Sequence, residues 1–190
     1  MLLVVGLGNP GRTHENQRHN VGFMVVDALV RDAGWPEPRA KFNALFTRGE
    51  LAGQPVAVLK PQTYMNLSGQ AVQPAADFLK VEPRDVLVVH DELDLPWKDV
   101  RIKVGGGHAG HNGVRSIQQH LGTPEFARVR VGIGKPPPGF AGAVADWVLS
   151  GFDPVERAEL PEVIGRAAEA VRRVAGEGVA AAMNLVNTKR

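Results

Sequence analysis

The sequence predicts an α/β fold, a single domain over residues 1–190 built on an open sheet with helices covering both faces. Two observations carry this. Short apolar runs rich in valine and leucine alternate along the chain with segments whose apolar residues recur at helical spacing. The composition, 44% hydrophobic, 22% charged and 6% aromatic over 190 residues, is that of one globular domain without a disordered tail. A chain of this length buries about 70% of the surface its unfolded form exposes, so it needs no metal or disulfide staple. In such a fold the reactive groups belong on loops leaving strand ends.

The elements follow in order. The first strand is read at Leu2 to Val5, and a helix over Val21 to Val30 has Asn20 placed to cap it and Gly34 to end it. Strands at Gln54 to Leu59 and Asp85 to Val89 flank a helical pattern from Ser68 to Lys80. Pro74 lies inside that pattern, so the helix either begins near Pro74 or is kinked there. An alternating strand at Val100 to Val104 precedes a helix over Gly113 to Leu121, with Asn112 before it and Gly122 after it. A strand at Val129 to Ile133 leads into Lys135-Pro136-Pro137-Pro138-Gly139-Phe140-Ala141-Gly142, a stiff then flexible loop suited to a mobile lid. The last helix is read over Leu160 to Ala175, whose apolar positions Leu160, Val163, Ile164, Ala167, Val171 and Val174 share one stripe.

Composition excludes several functions. The chain has no cysteine, which removes disulfides, thiolate metal clusters and thiol nucleophiles and suits a reducing compartment. The N-terminal run Met1-Leu2-Leu3-Val4-Val5-Gly6 lacks the basic flank and cleavage site of an export signal, and no stretch reaches the roughly 18 apolar residues of a membrane span. A cytoplasmic location is expected. The net charge is only +2, but between Trp97 and Lys135 seven basic residues (Lys98, Arg101, Lys103, Arg115, Arg128, Arg130, Lys135) face two acidic ones (Asp99, Glu125). That asymmetry marks either a phosphate-binding face or a solvated surface strand.

Five segments offer chemistry. Gly6-Leu7-Gly8-Asn9-Pro10-Gly11 matches the dinucleotide fingerprint in form, which raises a dinucleotide-dependent oxidoreductase as one reading. Pro10 lacks the N–H that a phosphate cradle uses, however, and no helix opens after it, so the glycines read better as a tight turn presenting Asn9. His19, in Arg18-His19-Asn20-Val21-Gly22, shares a loop with Asn9 and is either structural or a working base. His90-Asp91-Glu92-Leu93-Asp94 follows the apolar strand and is either a charged strand end or the source of a carboxylate that orients a histidine. Gly105 to Gly113 is a glycine-rich loop feeding a helix, suited to close approach of a ligand; the spacing of His108 and His111 hints at a metal, against which stand the missing cysteine and third ligand. Thr63 to Gly69 places Tyr64 and Asn66 on a strand-to-helix turn. None of Ser68, Ser116 and Ser150 lies in a nucleophile elbow. What remains is histidine, aspartate and amides, a set that activates water by general base catalysis and suits an activated ester, while a noncatalytic RNA-binding module also fits the basic segment.

These motifs occur together, and in the same order, in the bacterial peptidyl-tRNA hydrolases, which the sequence resembles over nearly its whole length apart from the last helix. The resemblance extends through Arg128-Val129-Arg130-Val131-Gly132-Ile133-Gly134 and Val148-Leu149-Ser150-Gly151-Phe152. It implies a monomeric three-layer α/β/α sandwich with a central mixed sheet that cleaves the ester between a peptide and the 3′-terminal ribose of tRNA, without cofactor or metal and without a DNA or membrane partner. By the same resemblance His19 is the catalytic base and Asp91 holds it in its basic form. Asn9 distinguishes N-blocked peptidyl-tRNA from free aminoacyl-tRNA, Asn66 and Asn112 bind the tRNA end and peptide backbone, Tyr64 and Met65 line the cleft, and Lys103 and Arg130 clamp a tRNA phosphate. Two positions depart from the family pattern. His14 stands where a tyrosine is usual, and Lys98 replaces a common glycine, implying a different turn there.

Overall fold

The computed structural model describes residues 1–188. In chain order it contains β1 (Leu2–Gly6), α1 (Val21–Ala33), β2 (Arg39–Lys41), β3 (Ala44–Leu51), β4 (Gln54–Pro61), α2 (Gly69–Leu79), β5 (Val86–Glu92), β6 (Val100–Val104), α3 (Asn112–Leu121), β7 (Ala127–Gly132), α4 (Val144–Val148), α5 (Pro154–Glu177) and α6 (Val179–Thr188). The strands form one sheet in the order β2-β3-β4-β1-β5-β7-β6. The four central strands are parallel, while β2, β3 and β6 add antiparallel edges, so the sheet is mixed.

The period-two alternation of the strands divides the core in two. Val4, Val56, Val58, Leu87, Val89, Val129 and Val131 pack with α1, α5 and α6 on one face. Leu3, Val5, Ala57, Leu59, Val86 and Val88 pack with α2 and α3 on the other. Each fully buried valine or leucine contributes roughly 1.5–3 kcal/mol, and the two clusters together fix a three-layer sandwich. Helix α1 leaves β1 toward the first face and α2 leaves neighbouring β4 toward the second, which opens a crevice at their carboxyl ends.

Close backbone packing, not phosphate binding, explains the first glycine segment. A side chain at Gly6 or Gly8 would collide with Val26 or Phe23 of α1, and one at Gly22 would meet the Val89 carbonyl oxygen. The β1 turn is thus pressed against the helix it precedes, with no room for a dinucleotide cradle.

The structure departs from the sequence expectations in several places. The β2–β3 and β3–β4 hairpins turn on Phe42-Asn43 and Ala52-Gly53, each pair at positive φ between directly paired residues. Such turns are normally signalled by Asn-Gly or Asp-Gly, and Phe42-Asn43 carries no such signal. Strand β5 continues through His90, Asp91 and Glu92, because β7 pairs with it as far as Glu92. Helix α2 starts at Gly69, five residues before Pro74, and runs through it. Helix α5 starts at Pro154, where Asp153 and Glu156 form a capping box. Lys98 adopts φ +79°, the conformation a glycine takes readily, so the turn keeps glycine-like geometry. Arg166 donates to the Lys98 carbonyl at 2.7 Å and Lys98 Nζ pairs with Glu159 at 2.6 Å, which hold it there. No helix among the described residues is long and apolar enough to cross a membrane.

Candidate active site

Asp91 lies at the carboxyl end of β5 and is 3% exposed. Strand alternation points it to the α1 face, while His90 and Glu92 point to the face shared with Arg128 and Arg130. His19 sits in a single 3-10 turn, Arg18–Asn20, that opens α1. His19 Nδ1 lies 2.8 Å from Asp91 Oδ2, and His111 Nε2 lies 2.8 Å from Asp91 Oδ1. One carboxylate therefore receives two imidazole N–H groups.

The hydrogen bonds fix the tautomers. His111 is the N-cap of α3, and its Nδ1 accepts from the backbone N–H groups of Gly113 and Val114, so its proton is on Nε2 facing Asp91. His19 donates from Nδ1 to Asp91, which leaves its Nε2 lone pair free. His90 donates from Nδ1 to the Asp91 carbonyl oxygen at 2.7 Å and turns its Nε2 toward Arg128 Nη1 at 3.5 Å. Burial disfavours the His19 imidazolium, but the charge of Asp91 and the bond to it outweigh this and raise the His19 pKa above 6.5. Burial likewise opposes ionisation of Asp91, yet the two histidines beside it hold its carboxyl well below the usual range. His90, enclosed and flanked by His111 and Arg128, is pushed well below 6.5 and stays neutral.

His19, Asp91 and His111 border a cavity of about 180 Å³ lined also by Asn112, Gly110 and the α4 residues Val144, Ala145 and Val148. Asn112 is exposed at the first turn of α3, and the cap expected of it belongs to His111. Asn9 is buried; its backbone N–H donates to Asn20 Oδ1 at 2.8 Å, and Asn20 Nδ2 returns a bond to the Asn9 carbonyl at 2.9 Å. Asn20 thus braces Asn9 and makes no side-chain cap on α1, contrary to expectation. Asn9 Oδ1 accepts from the Met65 N–H at 2.8 Å, tying the β1 turn to the turn after β4 and leaving Asn9 Nδ2 as a donor. Met65 is buried in that turn, with Tyr64 and Asn66 exposed on either side.

The basic residues divide. Arg101, Lys103, Arg128 and Arg130 share one face of the β6–β7 ladder, Lys103 and Arg130 as diagonal neighbours. Arg128 is only 1% exposed and gives Nη2 to the carbonyls of Gly107 at 2.9 Å and Gly105 at 3.3 Å, so it anchors the glycine loop and presents no charge outward. Arg130 reaches Glu92 at 3.5 Å, whereas no carboxylate among the described residues lies within ion-pair distance of Lys103. A larger open groove, about 940 Å³, is lined by Trp97, Lys98, Arg101, Arg130 and Arg166, but no histidine borders it. His14 bonds Gln17 at 3.1 Å and lines neither space.

As ligands, His19, Asp91 and His111 are the one group of the described residues with atoms close enough to share a metal ion, within 4.8 Å of one another. Both nitrogens facing Asp91 carry protons in its hydrogen bonds, so the set as arranged is an acid–base constellation. His108, the other residue of the metal-like spacing, turns to accept from the Gly110 N–H at 3.0 Å instead. The sequence signal for His111 as a partner of Asp91 was its place one residue before a helix, a capping position.

The chain matches the family model described as peptidyl-tRNA hydrolase over residues 3–190. It is 58% identical over 189 residues to the peptidyl-tRNA hydrolase of Sorangium cellulosum, covering 100% of this chain and 85% of that one. Identity to the peptidyl-tRNA hydrolase of Anaeromyxobacter dehalogenans is 50%, over 100% and 97% of the two chains. The crystal structure of peptidyl-tRNA hydrolase from Acinetobacter baumannii superposes with a TM-score of 0.91 at 39% identity, covering 100% and 96%.

Proposed function

Because the chain belongs to the peptidyl-tRNA hydrolase family and so hydrolyses the ester of peptidyl-tRNA, we propose that His19 is its base and Asp91 its orienting carboxylate. The observation that carries this is the pair of N–H groups converging on Asp91, which leaves His19 Nε2 as an unprotonated nitrogen beside the cavity. Nε2 takes a proton from water as the oxygen attacks the ester carbonyl. The tetrahedral intermediate then collapses, the C–O bond to the 3′-terminal ribose breaks, and the imidazolium returns the proton to the leaving oxygen. The Asp91 carboxylate stabilises the imidazolium between these steps, as in triad enzymes. Base catalysis of this kind contributes about 10²- to 10⁴-fold.

Asn9 reads the substrate's blocked amine. Its Oδ1 accepts from the Met65 N–H, which fixes the orientation of the amide and leaves its Nδ2 donor for the substrate, suited to the carbonyl of a preceding peptide residue and not to a free ammonium. Asn112, on the cavity wall, and exposed Asn66 are the amides for the tRNA end and the peptide backbone, with Tyr64 and Met65 next to Asn66 in the turn after β4. Lys103 and Arg130 hold a phosphate of the acceptor stem. His14 is left without a defined contact. The reading extends to a single domain acting as a cytoplasmic monomer that binds no DNA, needs no cofactor or metal, and recycles tRNA from aborted translation. One sheet carrying all seven strands of the described residues supports the single domain.

The test is release of peptide from N-acetyl-aminoacyl-tRNA beside unblocked aminoacyl-tRNA, with EDTA present, for wild type and His19→Ala. Cleavage of the blocked substrate alone, resistant to EDTA and lost in the variant, is expected. Full activity in the variant overturns the base assignment, and loss to EDTA overturns metal independence.

A further inference from the structure

Arg18 directly precedes the proposed base, and its side chain is 3% exposed. Nη1 donates to Ser150 Oγ at 2.5 Å and to the Gly151 carbonyl at 2.6 Å, and Nη2 donates to Glu156 Oε1 at 2.6 Å. The guanidinium plane lies over the Trp147 ring, its carbon 3.6 Å from the ring centre. The backbones join as well, since Arg18 N–H donates to the Ser150 carbonyl at 2.9 Å and Gln17 bridges to Gly151. Every partner lies between the last turns of α4 and the first turn of α5.

These contacts are more than a surface salt bridge. Val144, Ala145 and Val148 of α4 form one wall of the cavity that holds His19. Trp147 on the same short helix donates Nε1 to the Gly134 carbonyl at 2.9 Å and packs edge-on against Phe140 at 5.3 Å. The guanidinium therefore ties the turn carrying the base to the wall facing it, while α4 is also held through the loop after β7 and by the packing of Trp147 and Val148 into the core. Arginine is suited to this, because its flat fork can stack on a ring while donating to three acceptors, and lysine cannot.

We propose that Arg18 is a positioning residue which, through Trp147, Ser150 and Glu156, sets the distance between His19 and the α4 wall of the ester site. The proposal rests on His19 being the base. Displacing reacting groups by about 1 Å costs of order 10²-fold in rate, so the effect belongs in kcat more than in KM.

The experiment compares kcat, KM and Tm for Arg18→Lys, Trp147→Leu and the double variant on N-acetyl-aminoacyl-tRNA, with Ser150→Ala as a milder cut should Arg18→Lys not fold. Arg18→Lys is expected to lower kcat at least tenfold with KM within about threefold. Trp147→Leu falls similarly, and the double variant is no worse than the poorer single, because the two act as a unit. Ser150→Ala loses a few-fold in kcat and Trp147→Phe keeps most activity. A folded Arg18→Lys with kcat within twofold of wild type overturns the proposal, as do multiplicative losses in the double variant, or an unaltered kcat in Ser150→Ala where Arg18→Lys cannot be folded. Failure of the base assignment shows separately, as retained activity in His19→Ala.

Discussion

The two ends of the proposed substrate site are built on opposite principles. Around Asp91 the polar groups are buried and paired, with two histidines on one carboxylate and the Asn9 backbone matched to the Asn20 side chain. On the β6–β7 ladder Arg101, Lys103 and Arg130 are half-exposed, Lys103 has no carboxylate partner among the described residues, and Arg130 keeps only a 3.5 Å approach to Glu92. A buried carboxylate with satisfied donors keeps its geometry at the cost of tolerating no substitution, because each orphaned group costs about 1–3 kcal/mol. An exposed cation works at a distance, and salt screens it. Rate should therefore depend on the first region, and affinity on the second.

The sharpest way to break that division is His19→Ala, which should lower kcat by about 10²- to 10⁴-fold with a cooperative melt retained. A comparable fall in Lys103→Ala would erase the distinction. Asp91→Asn should cost less, since Nε2 of His19 survives as a base while its orientation and the stabilisation of its imidazolium are lost. The pH dependence gives the sign. In the wild type the His19 pKa is raised above 6.5, so kcat/KM falls on acidification through a limb above pH 6.5. Burial opposes the charge and Asp91 supports it, so removing the carboxylate should move that limb to lower pH. A limb that stays in place in Asp91→Asn removes Asp91 as the partner of His19.

The fold was legible where apolar spacing carried it. The central strands β1, β4, β5 and β7 and the core of α1, α3 and α5 follow from valine and leucine runs and helical stripes, because burial on a pleat or a helix face imposes those periods. The β2–β3 hairpin was not, since Phe42-Asn43 adopts positive φ without a glycine. In the site, Asp91 was legible as a carboxylate at a strand end, and Asn9 and His19 as polar residues of the loop between β1 and α1. The structure adds which atom faces which, and that comes from chain reversal, not local sequence: His111 reaches Asp91 across 20 positions, and Arg18 reaches Glu156 across 138. Charge counting erred at Arg128 for a related reason. Its strand position is right for the basic face, but the glycine loop closes over it and takes its donors.

Lys103 and Arg130 offer the finest cut, because they share a face but differ in surroundings. Arg130→Ala removes a cation and leaves Glu92, buried and lining the cavity beside His19, without its ion-pair partner. It should raise KM and lower kcat a few-fold, and Glu92→Gln in the same chain should restore much of the kcat. Lys103→Ala leaves no orphan, so its effect is confined to binding: KM rises several-fold, kcat stays within twofold, and the slope of log KM against log salt falls by about one counterion. Steady-state kinetics from low to moderate salt measure both quantities. An unaltered slope removes Lys103 from the phosphate contact, while a kcat loss equal to that of Arg130→Ala shows that the ladder reaches the chemistry and that the two regions are not separable.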